Sequence, residues 1–85
     1  MKPKITWDTR GKNDLVTATY QSDSRLLTFT LKSKGKGRNK HLSVVKNGID
    51  KDEVIGEVQE ESITIKAMDI AEFFIFMYVR KNYNE

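Results

Sequence analysis

The stretch "KSKGKGRNK", residues 32–40, sets a basic side chain at every second position: Lys32, Lys34, Lys36, Arg38 and Lys40. Only Ser33, Gly35, Gly37 and Asn39 stand between them. In an extended or hairpin backbone alternate residues point the same way, so the five cations would make one ridge with a repeat of roughly 6.6 Å. The chemistry of such a ridge is electrostatic. It suits a row of phosphates, with the glycines letting backbone approach the ligand and with Ser33 and Asn39 adding hydrogen-bonding capacity. The competing reading is a solvated basic loop with no ligand at all.

Catalysis has little to work with. His41 is the only histidine and there is no cysteine, so any Ser-His or Cys-His arrangement would rest on one residue, which reads better as a surface strand histidine. Asp50, Asp52 and Glu53, and the pair Glu60 and Glu61, lack the spacing of a calcium loop and read as a solvated acidic turn. "KGKGRNK" is not a nucleotide-binding phosphate loop, because the Gly-x4-Gly-Lys-Ser/Thr spacing is absent. The expectation is a non-enzymatic protein without cofactor or metal.

The elements that must carry the basic ridge follow from patterning. "KITW" is a short strand candidate, followed by the turn cluster "DTRGKND" around Gly11. "LVTATYQ" is rich in β-branched and aromatic residues, and "SDS" marks a second turn. In "RLLTFTLK" Leu27, Phe29 and Leu31 share one face, with Leu26, Thr28, Thr30 and Lys32 on the other. "KHLSVVK" reads as a strand with Leu42 and Val44 opposite His41, Ser43 and Val45, so the basic stretch becomes a β-hairpin. "NGIDKDEVIGEVQEE" fits either a short strand or an irregular acidic connection. "SITIK" is β-type again. Asp69, with Glu72 three residues on, has the form of a helix N-cap, and the helix should run to about Asn82. The chain thus reads as one α+β domain over 1–85, mainly β over 4–66 and helical over 69–82.

That helix is apolar round most of its circumference. Ile70, Phe73, Phe74 and Met77 form the expected stripe, while Ala71, Ile75, Phe76, Tyr78 and Val79 widen it. One face can cover a sheet and the other needs its own cover, which predicts a homodimer through helix contacts at Phe73, Phe76, Met77, Val79 and Tyr83. "FFIFMYV" also suits a buried strand, but the cap and the length of the segment favour helix.

Among 85 residues the net charge is +3, yet it is divided unevenly. Through Lys46 there are eleven Lys and Arg against three Asp, a net +8; the remainder has four bases against nine acids, a net −5. Such polarity suits a polyanion face opposite a solvated one, or halves that attract each other. The N-terminal "MKPKITWDTRGKND" lacks the apolar region of a secretory signal, and "FFIFMYV" falls far short of the roughly 20 residues that span a bilayer. The absence of cysteine is compatible with a reducing compartment. The expected location is the cytoplasm, a phage-infected host interior or a nucleoid, with no membrane partner.

Trp7 and Tyr20 lie in the same basic, strand-forming half, where cations can track phosphates while bases stack on rings. Phe29, on the face of Leu27 and Leu31, reads as core. The expected nucleic-acid-binding set is Lys32, Lys34, Lys36, Arg38, Lys40, Lys46 and Arg25, with Trp7 and Tyr20 for stacking. An apolar helix flanked by acids is a poor reader of the major groove.

The order "RLLTFTLKSKGKGRNKHLSVVK", a strand, a Lys/Gly hairpin and a second strand, followed by "ESITIKAMDIAEFFIFMYVRKNY", resembles the positive-cofactor-four transcriptional coactivators and their Pur-alpha and Whirly relatives. The likeness covers residues 25 to 82. It implies a curved antiparallel sheet of four to five strands followed by one C-terminal helix, a homodimer, and single-stranded nucleic acid bound across the sheet. It also implies that Ile63 and Ile65 occupy an apolar strand before the helix. The expected function is sequence-tolerant binding of single-stranded DNA, with RNA an alternative, in transcription, replication or recombination. The rival is a small protein-binding regulator, such as a phage-type inhibitor docking on a host enzyme through the basic stretch or the acidic "DKDEVIGEVQEE".

Overall fold

The computed structural model describes residues 2–10 and 15–84. Five strands form one antiparallel sheet in chain order: β1 (Lys4–Asp8), β2 (Leu15–Gln21), β3 (Leu26–Lys34), β4 (His41–Lys46) and β5 (Glu53–Val58). A helix, α1 (Ile65–Tyr83), follows and lies against one face. The architecture is therefore the α+β sheet-then-helix order expected from the sequence. The turn predicted around Gly11 lies outside the described residues.

Strict alternation explains the two faces. Val16, Ala18 and Tyr20 of β2 sit opposite Leu31, Phe29 and Leu27 of β3, and Leu31 in turn sits opposite Val44 of β4. With Leu42 and Val58 they make the face beneath the helix, and all of these but Leu27 are buried. The opposite face is mainly polar: Thr6, Thr19 and Thr28 form one cross-strand row, and Asp8, Thr17 and Thr30 the next, with Leu15, Leu26 and Val45 among its apolar members. Period-two patterning thus separates an apolar layer from an uncovered one.

The segment that patterning left open is β5, and its ambiguity has a structural cause. Val44 pairs with Gly56 but Val45 pairs with Val54, so Ile55 is an extra residue opposite the Val44–Val45 step. This β-bulge lets Glu53 and Val58, an odd number of positions apart, share the helix face. Gly56 is required there for a different reason. A Cβ on it would lie 2.6 Å from Cγ of Phe74, so only glycine admits the helix at this distance.

The helix differs from its expected form in start, cap and inner face. It begins at Ile65 rather than near Asp69, because Thr64 is the N-cap and its hydroxyl accepts the Ala67 N–H at 3.2 Å. "SITIK" is accordingly not a strand. Ile63 precedes the cap and packs on the core together with Met68, the two positions of a hydrophobic staple, while Ile65 is the first helical residue and largely exposed. The sheet-facing line is Ala67, Ala71, Ile75 and Val79, one residue per turn, rather than Ile70, Phe73, Phe74 and Met77. Two alanines bring the helix close, and the larger Phe74 and Tyr78 pack beside it. Val79, expected at a dimer contact, is in the core. Asn84 closes the helix in the left-handed conformation, with its N–H donating to the Arg80 carbonyl at 3.1 Å.

Replacing Gly56 with Ala should lower stability by about 1–3 kcal/mol, since a methyl must be forced against the Phe74 ring. Urea unfolding followed by circular dichroism measures the loss; an unchanged midpoint would show that the helix is not seated this tightly.

Candidate nucleic-acid interface

The basic stretch spans the end of β3, a single 3-10 turn at Gly37–Asn39 and the start of β4. Lys32 and Lys34 share the open face, opposite Ser43 and His41. Beyond Lys34 the ridge expected from an extended backbone is broken. Gly35 and Gly37 take φ of 83° and 59°, conformations that turn the chain and that L side chains rarely adopt. At Gly35 a side chain would also collide with the Asn39 carbonyl. Lys36, Arg38 and Lys40 therefore stand on a compact turn, which the Asn39 N–H to Lys36 carbonyl bond (3.1 Å) and the Lys40 N–H to Gly37 carbonyl bond (3.3 Å) close. All four cations from Lys34 to Lys40 are exposed.

The base of this hairpin is tied to β5. His41 Nδ1 donates to the Asn39 carbonyl at 2.8 Å, and its Nε2 sits 3.0 Å from Oε2 of Glu57. The same carboxylate oxygen accepts the hydroxyl of Ser43 at 2.9 Å, and Ser43 is fully buried. Both ring nitrogens are thus occupied in holding the hairpin, and His41 has none to spare for proton transfer to a substrate.

Electrostatics on the open face favour cations more than the residue count implies. Its two carboxylates are both engaged: Glu57 as above, and Asp8 by Arg10. Hydrogen bonds from the Arg10 guanidinium, and next from its backbone N–H, hold the Asp8 carboxyl below the usual carboxylate range. By contrast Lys4, Lys32, Lys34, Lys36, Arg38 and Lys40 make no ion pair among the described residues.

The other expected binding residues are not part of this surface. Tyr20 is 1% exposed beneath the helix, its ring 6.0 Å from that of Phe76. Trp7 also faces the helix, and its indole N–H donates to Glu72 at 2.8 Å. Phe29 is core, as expected. The remaining Phe and Tyr residues, Phe73, Phe74, Phe76, Tyr78 and Tyr83, are on the helix, so among the described residues the open sheet face carries no Phe, Tyr or Trp on which a base could stack, and its one imidazole, His41, is held by Asn39 and Glu57. Arg25 lies at the far end of β3 from the hairpin, with its guanidinium 4.2 Å from the centre of the Tyr83 ring. Lys46, opposite Phe29, is on the helix side and donates to the Asn47 carbonyl. Sequence reasoning missed Lys4 and the threonine rows. Their signal is the polar set in the alternation of "TATYQ" and "TFT".

Of the expected helix contacts, Phe73, Phe76 and Met77 are 64%, 41% and 54% exposed and Tyr83 is half-buried. Among the described residues no helix is long and apolar enough to cross a membrane, and no cluster of His, Asp and Glu is arranged to hold a metal ion. Neither a scan against protein-family models nor searches of curated proteins and of solved structures finds a match to this chain.

Glu57→Ala should destabilise the fold by about 1–3 kcal/mol, because it leaves the buried Ser43 hydroxyl without an acceptor. Ser43→Ala should cost less in the same urea titration; the reverse order would remove Glu57 from its role as the hairpin's anchor.

Proposed function

We propose that this is a non-enzymatic nucleic-acid-binding protein that grips phosphates with the β3–β4 hairpin. The observation that carries the reading is the group Lys34, at the end of β3, and Lys36, Arg38 and Lys40 on the turn that follows, all exposed and none paired with a carboxylate among the described residues. Lys32 and Lys4 extend the same charge across the open face, where threonine hydroxyls supply further donors to phosphate or sugar oxygens. Affinity comes from counterion release and discriminates little between sequences. Single-stranded DNA or RNA remains the proposed ligand, because no helix is presented for the major groove and the sheet offers a polar track for a backbone. With Trp7 and Tyr20 turned to the helix, base stacking on them contributes nothing to this grip. The assembly proposed is a homodimer through the outer helix face, where Phe73, Phe76 and Met77 form an exposed apolar strip.

Changing Lys34, Lys36 and Arg38 together to Ala should weaken binding to all single strands alike and flatten the salt dependence. With about 0.7 counterions released per contact, the slope of log affinity against log salt should fall by about 2. Fluorescence anisotropy of labelled oligonucleotides at several salt concentrations tests this, with Trp7 emission staying constant on binding. Wild-type affinity in the triple variant would exclude the hairpin.

The dimer has its own test. Phe73→Glu combined with Met77→Glu should convert the sedimenting species to a monomer while leaving the circular dichroism spectrum intact. If the wild-type chain sediments as a monomer at high concentration, the strip serves another purpose.

A further inference from the structure

A sheet that does not close has two outer strands, and here they are guarded differently. β1 is five residues long, follows Pro3 directly and carries Lys2 and Lys4 at its start, the features that blunt an edge against another strand. β5 has neither proline nor lysine within it and instead exposes Glu53 and Glu57, with Asp52 just before. Beside it the chain opens a groove of about 430 Å³ between β5 and α1. Ile55, Phe74, Met77 and Tyr78 line it, with Glu53 and Lys81 at its rim. The Tyr78 hydroxyl lies 3.5 Å from Glu53. Burial first, and then the Glu53 charge, raise its phenol above the usual tyrosine range, so it remains a neutral hydrogen-bonding group.

An unpaired strand edge supplies main-chain hydrogen bonds, and an adjoining apolar groove supplies a seat for every second side chain of an added strand. The charge on the edge then selects the occupant. A second copy of β5 would bring Glu53 and Glu57 against their own kind, and like charges across strands oppose pairing. We propose that β5 and α1 form a docking groove for an extended segment of a partner protein that alternates Lys or Arg with apolar residues. Its apolar side chains enter the groove on the helix side, most of its basic ones reach Glu57 on the open side, and a basic residue at its end meets Glu53 and is opposed by Lys81 at the groove's rim. Ile55, the extra residue of the bulge, faces this groove as well as interrupting the pairing with β4. Glu57 also anchors the base of the hairpin, but the groove includes no residue of the basic turn, and the proposal does not depend on what the hairpin binds.

The probe is a fluorescein-labelled peptide, Lys-Val-Lys-Phe-Lys-Val-Lys, compared with its Glu-for-Lys counterpart and with versions N-methylated on either alternate set of residues. Saturable binding of the Lys peptide is expected, with amide shifts over Glu53–Val58 in a 1H–15N spectrum and with binding of the Glu peptide weaker by about tenfold or more. One N-methylated set should fail to bind, Glu53→Lys should weaken the complex, and Lys81→Glu should strengthen it. The hairpin triple variant should bind the peptide as the wild type does, and Glu53→Lys should bind oligonucleotides as the wild type does, so the two sites fail or stand separately. Absence of saturable binding, indifference to both N-methylation patterns, or shifts confined to the hairpin or to Phe73 and Phe76 would overturn the proposal.

Discussion

The rest of the structure depends on how closely one helix can lie on one face of a five-stranded sheet. Ala67 and Ala71 present almost no side chain to the strands, and Gly56 presents none to Phe74, so the approach is set by small residues on both layers. The consequence is a thin core in which Tyr20, Phe29, Leu31, Leu42, Val44, Ile75 and Val79 are nearly or wholly excluded from water. Among the described residues no second layer covers the other face of the sheet. The aromatic residues of the strands, Trp7, Tyr20 and Phe29, are therefore drawn to the helix side, where they remove the most apolar area from water.

This division decides what kind of surface is left for function. The uncovered face keeps threonine, lysine and the engaged carboxylates Asp8 and Glu57, and its unpaired charge is concentrated where β3 turns into β4. A ligand held there is held by charge and hydroxyls. Small residues and the bulge shape the other margin, where β5 and the helix leave an apolar groove with Glu53 and Lys81 at its rim and Glu57 on the strand beside it. The uneven charge of the sequence thus becomes two chemically opposite margins of one small molecule.

The first four strands, the two faces of β3 and β4, and the hairpin between them were legible because alternation and turn residues report local geometry directly. What could not be read were features that depend on a distant partner. "SITIK" carries strand-forming residues, yet Thr64 is worth more as a cap to a helix that packs on the sheet than as one more rung. Trp7 and Tyr20 look the same in sequence whether they face solvent or a helix; Glu72, 65 positions from Trp7, settles the matter for the indole. The bulge at Ile55 shifts the phase of β5, so no single alternation fits "EVIGEV". The basic comb was plain as composition, but its shape was hidden in the positive φ of Gly35 and Gly37.

The order of elements along the chain has a meaning for how the molecule comes into being. Each strand pairs with the one made just before it, so the sheet can zip together from neighbouring segments. The helix that covers it is made after all five strands, and its contacts reach back to β1. During synthesis the sheet's oily side, with Tyr20, Phe29 and Leu31 on display, has to wait for residues 65–83 to clear the ribosome before it can be sealed. That interval is when a nascent chain of this kind is most exposed to sticking to its neighbours, and when a cell's chaperones have the most reason to attend it.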